Sequence, residues 1–342
     1  MTPPKEVRPA ATVERLLRRR FGPARRVERL AADASVRQFW RIERTAGGTA
    51  VACVDARGGT VALDRMQAAC RLLRSIGVPV AEILDRDDRI PALLLEDFGD
   101  WLLADALRAQ TDAERRTLYA EAGRIAGRIA RLGTPEVKVE HPLAWPMLAT
   151  ERLRVELAFF AVHDVAGRRG VHDEGLLRAL AGLSDAIVGH ATAHPLALAH
   201  RDFHARNLLV RPGPALGVVD YQDALLAPVY YDLASLVRDP YVVPDAALAA
   251  EAERAFAGEA GGAVPDQDPL FAWVALQRDL KAIGTYAFQA LRLGRERFTQ
   301  YIPAAERLAL RAAHEIGGEA GRDAASLLLR IGFADDRRTA PA

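Results

Sequence analysis

Two short stretches of the chain carry side chains that suit the transfer of a phosphoryl group. The first, residues 200–210, contains Asp202 and Asn207, and the second is an apolar run that ends at Asp220. Phosphoryl transfer needs a carboxylate that orients and deprotonates the attacking hydroxyl, and oxygen ligands that hold Mg²⁺ against the nucleotide phosphates. Asp202 suits the first task. Asn207 and Asp220 suit the second, because Mg²⁺ prefers a few hard oxygen ligands and keeps waters for the rest.

A predicted β-hairpin connects these residues. Residues 208–210 and 218–219 are predicted as two short strands, and residues 211–214 as the turn between them. The hairpin would bring the three side chains to one edge. A histidine, an aspartate and an asparagine in one loop give weak support on their own. The aspartate that follows the second strand makes the pattern compound and favours the functional interpretation.

The length and composition of the chain limit its class. With 342 residues the chain exceeds the usual size of a single core, so we expect two domains, residues 1–99 and 100–342. The net charge of +1 gives no support for nucleic-acid binding through a basic surface. Two cysteines in apolar settings argue against a disulfide framework and indicate a reducing compartment. Without a signal-peptide core or an apolar run of membrane-spanning length, we expect a cytoplasmic monomer with no membrane contact.

The predicted elements change from strands to helices near residue 100. Before that point, residues 50–55, 78–84 and 91–100 contain predicted strands, and residues 64–76 form a predicted helix. After it, apolar residues recur at helical period with charged residues opposite. The helical segments are 118–132, 153–160, 176–187, 228–239, 246–258, 269–290 and 303–331. The pattern predicts an α+β protein.

A polar, glycine-containing segment follows the strand near residue 95 and has the composition of a hinge. An adenine ring needs an apolar slot and one or two backbone hydrogen bonds. The predicted base site is therefore Leu95, Glu96, Asp97 and Phe98. An ordinary strand-to-helix loop is the alternative.

A run of small residues near residue 33 is the predicted phosphate-covering loop. Small residues let backbone N–H groups approach phosphate oxygens. Glycines are missing from this run, and Ser35 and Arg37 are the residues that we nominate for phosphate contact. A polar hairpin tip is the alternative interpretation.

These motifs together resemble those of a known family. The sequences H-R-D-F-H-x-x-N-L from His200 and V-D-Y-Q-D-A from Val219 are similar to the catalytic core of the aminoglycoside phosphotransferase-like kinases. D-A-S-x-R-x-F from Asp33, L-L-E-D-x-G from Leu94, residues 222–239 and Q-R-x-L-K-x-x-G from Gln277 resemble more narrowly the anomeric amino-sugar kinases of bacterial cell-wall recycling. The likeness runs from about residue 30 to residue 290.

The resemblance implies a bilobal protein-kinase-like fold, with a small, mainly β N-terminal lobe and a larger, mainly helical C-terminal lobe. It also implies ATP and Mg²⁺ as cofactors, and N-acetylmuramate or N-acetylglucosamine as the acceptor, phosphorylated at the anomeric hydroxyl. Asp202 would be the base and contact the substrate, Asn207 and Asp220 would be the metal ligands, and His200 would shape the catalytic loop.

The chain departs from protein kinases in its phosphate clamp. A protein kinase has a lysine on the strand at residues 50–55 and a glutamate on the following helix. This chain has lysine only at positions 5, 138 and 281, and its helix at residues 64–76 has no glutamate. Arg37 and Arg41 are the candidates for neutralising the phosphates in their place.

The predicted substrate contacts lie just beyond the second metal ligand. An acetamido sugar calls for a few fixed hydrogen bonds, and Gln222, Asp223, Arg238 and Asp239 are placed in the sequence to supply them. Asp223 as a further metal-shell group, and Arg238 with Asp239 as a structural ion pair, are the alternatives.

Two other functions compete with an amino-sugar kinase. One is a kinase for another small molecule, such as an aminoglycoside, a choline-like amine or an amino acid. A polycationic aminoglycoside would need a rim of carboxylates, and the sequence shows no dense acidic cluster. The other is a nucleotide-binding pseudokinase, which the missing lysine and glutamate favour and the intact Asp202, Asn207 and Asp220 oppose.

Overall fold

The first hundred residues fold mainly as strands, and most of the remaining chain is helical. A computed structural model describes residues 9–30, 37–55, 59–89, 91–133, 150–193, 196–213, 215–261 and 268–334. The chain divides into two compact units. The smaller unit comprises Met1–Trp101, Leu209–Arg211 and Gly217–Asp223, and the larger unit comprises the rest. The smaller unit is therefore built from three separate segments of the sequence.

The smaller unit contains a five-stranded antiparallel sheet in the order β1-β2-β3-β5-β4. Its strands are β1 Ala24–Leu30, β2 Gln38–Arg44, β3 Thr49–Val54, β4 Ile83–Asp87 and β5 Ala92–Glu96. Alternate residues of a strand face opposite sides. On one side, Ile42, Ala52 and Leu94 form a core with Val13 and Leu16 of helix α1 (Pro9–Arg20).

Helix α2 (Gly59–Ser75) completes the smaller unit. It buries Met66, Cys70 and Leu73, the face that the sequence periodicity predicts. Cys53 and Cys70 are both buried and free. A 3₁₀ turn at Tyr221–Asp223 packs near α2, and the Tyr221 hydroxyl donates to the Ala81 carbonyl over 2.9 Å. These contacts tie a late segment of the chain to the early one.

The larger unit is a set of helices around one buried helix. Helix α9 (Leu270–Leu291) is buried along most of its length and packs against α5, α6, α7 and α10. The other helices are α3 Leu103–Ala109, α4 Asp112–Ala130, α5 Thr150–Phe160, α6 Glu174–Thr192, α7 Tyr231–Val237, α8 Ala246–Glu259, α10 Ile302–Ile316 and α11 Gly318–Arg330. A π-helical turn, Ala161–Arg168, follows α5 directly. Within the described residues, no helix is both long enough and apolar enough to cross a bilayer.

Helices α4 and α8 approach each other closely because glycines line the contact. A Cβ atom on Gly123 would lie 2.2 Å from the carbonyl oxygen of Ala252, and one on Gly127 would lie 2.7 Å from the carbonyl oxygen of Phe256. No real Cβ tolerates such distances, so the two backbones can touch only where a side chain is missing.

Four short strands flank the segment that the sequence singles out. β6 (Leu196–Ala199) pairs antiparallel with β9 (Leu225–Pro228), and β7 (Leu208–Arg211) pairs with β8 (Ala215–Val218). The predicted hairpin is therefore present, and its second strand begins earlier than residue 218. The segment between β6 and β7, residues 200–207, is called the catalytic loop below.

Candidate active site

The catalytic loop is a tight backbone arrangement that depends on its own polar groups. The N–H of His204 donates to the Asp202 carbonyl over 3.1 Å, and the N–H of Asn207 donates to the His204 carbonyl over 2.9 Å. The side-chain amide of Asn207 also donates to the Asp202 carbonyl, over 2.9 Å. Arg201 has φ +82°, a conformation that residues other than glycine adopt only when their surroundings hold them there.

Two buried aspartates hold the two ends of the loop. Asp232 on α7 accepts the N–H groups of His200 and Arg201 over 2.6 and 2.9 Å. Asp239, just after α7, accepts the N–H of Ala205 over 2.8 Å. Burial raises the pKa of both carboxyls, to about 6 for Asp239, although the donated N–H groups oppose the shift. His200 contributes to the loop through its backbone N–H, and its ring lies edge-on to Phe203.

Asp202 lies among cations of the larger unit. Its Oδ1 is 3.1 Å from Nζ of Lys281 and 3.6 Å from Nη2 of Arg278, and 36% of its side chain is exposed. Burial disfavours the carboxylate, but Lys281, Arg278 and Arg201 together outweigh it and hold the pKa of Asp202 well below its usual range. The neighbouring His204 is kept neutral, because burial lowers its pKa to about 3. Asp202 is thus an ionised hydrogen-bond acceptor.

A second carboxylate organises the cations around Asp202. Glu156 on α5 accepts from Arg201 Nη2 and from Gln277 Nε2, each over 3.0 Å. Burial opposes its ionisation, while Lys281, Arg201 and Arg278 lower its pKa. Arg278 is fixed separately by the Tyr231 hydroxyl, 3.2 Å from Nη1. Each cation near Asp202 therefore has a defined position.

Asp220 belongs to the smaller unit and has φ +65°. Gln222, predicted to contact substrate, donates from Nε2 to Asp220 Oδ1 over 2.6 Å and to Asp223 Oδ2 over 3.4 Å. The amide of Gln222 thus orients both carboxylates. The predicted substrate contacts of Gln222 and Asp223 stay predictions.

The two arginine candidates for the phosphate clamp have different surroundings within the smaller unit. Arg37 pairs with Asp55 over 3.0 Å, and although burial disfavours its charge, the negative charge of Asp223 also raises the pKa of its guanidinium. Arg41 pairs with Asp97 over 2.7 and 3.0 Å and also bonds to Asp100. Arg41 is thus engaged at the predicted hinge. The other nominated phosphate contact, Ser35, lies outside the described residues.

The predicted base site follows strand β5. Leu95 is buried, and Glu96 accepts from Arg211 over 3.5 Å. The carboxylate of Asp97 accepts hydrogen bonds from Arg41, so the backbone of Asp97 is the part that remains for a ligand. The ring of Phe98 lies under the Arg211 guanidinium at 4.4 Å, and a Cβ on Gly217 would come within 2.3 Å of that ring. Phe98 can therefore lie against the backbone of β8 because residue 217 is a glycine.

The remaining predicted substrate residues are buried in the larger unit. Arg238 is 3% exposed and bonds to Glu315, and Asp239 accepts the N–H groups of Ala205 and Tyr241. Both side chains therefore have protein partners, and among the described residues no contact joins the two to each other as an ion pair. Their substrate role stays a prediction.

Asn207 in the larger unit and Asp220 in the smaller unit each carry a side-chain oxygen of the kind that Mg²⁺ prefers. Among the residues that the structure describes, no group of three or more histidine, cysteine, aspartate or glutamate side chains could hold a metal by itself. Mg²⁺ does not need such a cage, because it takes one or two protein oxygens and completes its shell with phosphate and water. Asn207 donates through its side-chain nitrogen to the Asp202 carbonyl, so the amide oxygen is the atom of this side chain that a metal ion could approach. Asp220 supplies a carboxylate.

Comparison with known proteins places this chain in a family. The model of a family described as the phosphotransferase enzyme family matches residues 26–270, well over half of the chain. The chain belongs to the phosphotransferase enzyme family. The predicted resemblance to aminoglycoside phosphotransferase-like kinases is thereby confirmed.

Two curated proteins resemble the chain over most of their length, and both are named N-acetylmuramate/N-acetylglucosamine kinase. The protein from Neisseria meningitidis serogroup B is 29% identical over 80% of this chain and 81% of its own. The protein from Pseudomonas aeruginosa is 30% identical over 80% of this chain and 79% of its own. An ADP-bound aminoglycoside phosphotransferase structure has a TM-score of 0.61 at 13% identity and covers 90% of this chain and 99% of its own. That similarity confirms the predicted α+β, protein-kinase-like fold of this phosphotransferase.

Sequence reasoning misses the residues that surround Asp202. They come from helices that are distant from Asp202 in the sequence: Glu156 from α5, Arg278 and Lys281 from α9, and Asp232 from α7. The run from Gln277 to Lys281 carries part of the family resemblance, but the sequence alone assigns it no role. The signal that could reveal one is the chemistry: a glutamine, an arginine and a lysine within one long apolar helix are costly unless they have partners.

Proposed function

We propose that this phosphotransferase moves the γ-phosphoryl group of ATP to the anomeric hydroxyl of N-acetylmuramate and N-acetylglucosamine. The observation that carries the proposal is the similarity to two curated kinases of that name over four fifths of the chain. The ionised Asp202, in a loop held by two buried aspartates, supports the chemistry.

Asp202 is the proposed acceptor for the hydrogen of the sugar hydroxyl. The hydroxyl oxygen bonds to the γ-phosphorus, the bond between that phosphorus and the bridging oxygen breaks to release ADP, and the hydroxyl proton passes to Asp202. A loose transition state for phosphoryl transfer asks for orientation more than for a strong base. A carboxylate that stays ionised beside Lys281 and Arg278 meets that need.

Asn207 and Asp220 are the proposed holders of Mg²⁺, each through one side-chain oxygen. When bound, the ion neutralises charge on the phosphate oxygens. Gln222 keeps Asp220 in one orientation, since it donates to Oδ1 over 2.6 Å. The φ of +65° at Asp220 is a further strain held by the surroundings, as is common at functional sites.

Arg37 is the proposed replacement for the missing strand lysine. It has a carboxylate partner, Asp55, as the lysine of a protein kinase has a glutamate. Arg41 is the weaker candidate, because Asp97 and Asp100 already occupy its guanidinium. The segment from Leu95 to Phe98 remains the proposed base site, and Ser35 a proposed phosphate contact.

The test is an ATP-consumption assay with a panel of acceptors, followed by NMR of the product. We expect turnover of N-acetylglucosamine or N-acetylmuramate with phosphate on C1. The 1-deoxy analogues should act at most as inhibitors, because they lack the hydroxyl that accepts the phosphoryl group. Phosphate on O6, or activity on kanamycin-like amines alone, would replace the proposal with another small-molecule kinase. Nucleotide binding without turnover of any acceptor would indicate a pseudokinase.

A further inference from the structure

The charge cluster around Asp202 contains a lysine that the proposed chemistry has not used. Lys281 lies in the middle of α9, and 12% of its side chain is exposed. Its Nζ donates to Asp202 Oδ1 over 3.1 Å. Oδ2 of Asp202 has no hydrogen-bond donor among the described residues. One carboxylate oxygen is thus held by the protein, and the other is open to a ligand.

The surroundings of Lys281 disfavour its charged form. Burial disfavours the ammonium form most, Arg278 adds to that effect, and Asp202 opposes it, so the pKa of Lys281 falls to about 8. The charged and titratable groups that face the cluster come from the catalytic loop, from α5, from α7 and from α9 itself. They are Arg201, Asp202, His204, Glu156, Tyr231 and Arg278.

A purely structural role does not account for a buried lysine at this position. A buried ion pair is often no more stable than well-packed apolar side chains of similar volume. Arg278 and Arg201 already favour the ionised form of Asp202, and both have other partners that fix them. What Lys281 adds is a direct hydrogen bond to one oxygen, which stops the carboxylate from rotating.

We propose that Lys281 is a positioning residue for phosphoryl transfer: its ammonium group holds Oδ1 of Asp202 so that Oδ2 accepts the hydrogen bond of the acceptor hydroxyl. This inference rests on the proposed kinase function. Lys281 moves no proton in the reaction. Its bond to Asp202 is charge-assisted only while the amine is protonated, so deprotonation weakens the hold on the carboxylate.

The first experiment compares Lys281→Met and Lys281→Arg with the wild type in kcat, KM and pH profile. Lys281→Met should lower kcat roughly 100-fold, because a misplaced catalytic group costs about that much. The KM for ATP should stay within about twofold. The wild-type kcat should fall above about pH 8, and Lys281→Arg should keep part of the kcat while losing that alkaline fall, since arginine does not titrate there.

The matched control removes a positive charge from the end of the same helix. Arg292, the residue after α9, is exposed, and Arg292→Met should leave kcat and the pH profile unchanged. A merely structural lysine would give a Lys281→Met variant with reduced thermal stability but kcat within threefold of wild type. It would also leave the alkaline fall present in Lys281→Arg. Either result overturns the proposal.

The second experiment does not depend on the acceptor. Lysine occurs at three positions only, so ¹³C-lysine labelling gives three ε-carbon resonances, and Lys281→Arg identifies one of them. We expect that resonance to titrate near pH 8 in the wild type and at least one pH unit lower in Asp202→Asn, where the negative charge is gone. Titration near the ordinary lysine value, unmoved by Asp202→Asn, would refute the contact. If no amino sugar is phosphorylated, the proposed function fails, and this titration still decides whether Lys281 holds Asp202.

Discussion

At the scale of the residue, the central feature is Asp202, a carboxylate that stays ionised although it is partly buried. Burial would neutralise Asp202, but three cations hold its pKa well below its usual range. None of those cations is a free surface charge: Lys281 is largely buried, Arg278 lies at 4.8 Å over the Tyr231 ring, and Arg201 is paired with Glu156. Asp202 can therefore accept a hydrogen bond from an acceptor hydroxyl, while the surrounding cations, partly balanced by Glu156, favour phosphate oxygens.

Removal of the charge on Asp202 should stop turnover without unfolding the protein. Asp202→Asn keeps the shape of the side chain but loses the acceptor for the hydroxyl proton, so kcat should fall by roughly 10²–10⁴-fold. The protein should stay folded, with a lower thermal unfolding midpoint, because the variant loses the ion pairs that lower the pKa of Asp202. Steady-state kinetics and calorimetry measure both quantities, and a wild-type kcat in this variant would contradict the assignment of Asp202.

Removal of the metal ligands should act on nucleotide binding. Asp220→Ala should abolish Mg²⁺-dependent ATP binding, and Asn207→Ala should weaken it, because each removes an oxygen ligand from an ion that bridges phosphates. Titration calorimetry with and without Mg²⁺ measures the effect. Binding without Mg²⁺ provides the control, since it should be the same in wild type and variants. Unchanged Mg·ATP affinity in Asp220→Ala would remove this residue from the metal site.

At the scale of the element, helix packing in the larger unit depends on missing side chains. Gly123 and Gly127 lie one turn apart on α4, and each faces backbone of α8. The two helices can approach to backbone contact, and α8 follows α7, whose Asp232 and the adjacent Asp239 hold the catalytic loop. The position of α8 thus bears on the loop through a short stretch of chain.

A single methyl group should test this contact. Gly123→Ala should lower the free energy of unfolding by about 1–3 kcal/mol, because the new Cβ would lie 2.2 Å from the Ala252 carbonyl oxygen and the helices must separate. Gly182→Ala in α6 is the matched control, since no atom lies within 4 Å of the position that its new methyl group would take and the change should stabilise by about 0.5–1 kcal/mol. Urea denaturation of both variants measures the difference. Equal effects would mean that helix propensity alone decides.

The sequence predicts elements well where apolar residues recur and poorly where they do not. Helical periodicity locates α9 to within one residue at each end, and it finds α2 and α4 although these helices begin five and six residues earlier than predicted. It does not reveal β1, because Ala24–Leu30 is a charged edge strand whose residues are mostly exposed. The helical segment predicted over residues 303–331 is two helices, since Gly317 at φ +69° ends one of them.

The same limit applies to the site. Asp202 and Asn207 belong to one local motif, which spacing alone can reveal. Lys281 lies 79 residues from Asp202 in the sequence, and Glu156 lies 45 residues from Arg201. Tertiary packing brings such pairs together, and no local pattern encodes it.

At the scale of the whole molecule, the buried aspartates that shape the loop reduce stability at neutral pH. The folded-state pKa of Asp239 is raised from 3.8 to about 6, and that of Asp232 is raised as well. Through Asp239 the folded protein binds more protons between about pH 4 and pH 6 than the unfolded chain does, so the contribution of this carboxyl to the free energy of unfolding falls as pH rises through that window and levels above it. His204 acts in the opposite direction, because burial lowers its folded-state pKa from 6.5 to about 3.

Replacement of Asp239 should flatten that pH dependence. Asp239→Asn keeps an oxygen to accept the N–H of Ala205 but cannot ionise, so the fall in stability between pH 4 and pH 7 should shrink by on the order of 3 kcal/mol. Asp323→Asn, at an exposed position of α11, should leave the dependence unchanged. Denaturant titrations at several pH values compare the three proteins. An equally steep fall in Asp239→Asn would show that other groups carry it.

The discontinuous build of the smaller unit also has a consequence for synthesis. Met1–Trp101 emerges first, but Gly217–Asp223 follows about 120 residues later. At roughly 5–20 residues per second, a ribosome needs roughly 6–24 s to close that interval. Until then, the carbonyls of Pro79 and Ala81 have not met the Val218 N–H and the Tyr221 hydroxyl that bond them in the finished protein. The nascent chain thus carries the smaller unit past the exit tunnel without its late segment, and chaperones have that interval in which to bind it.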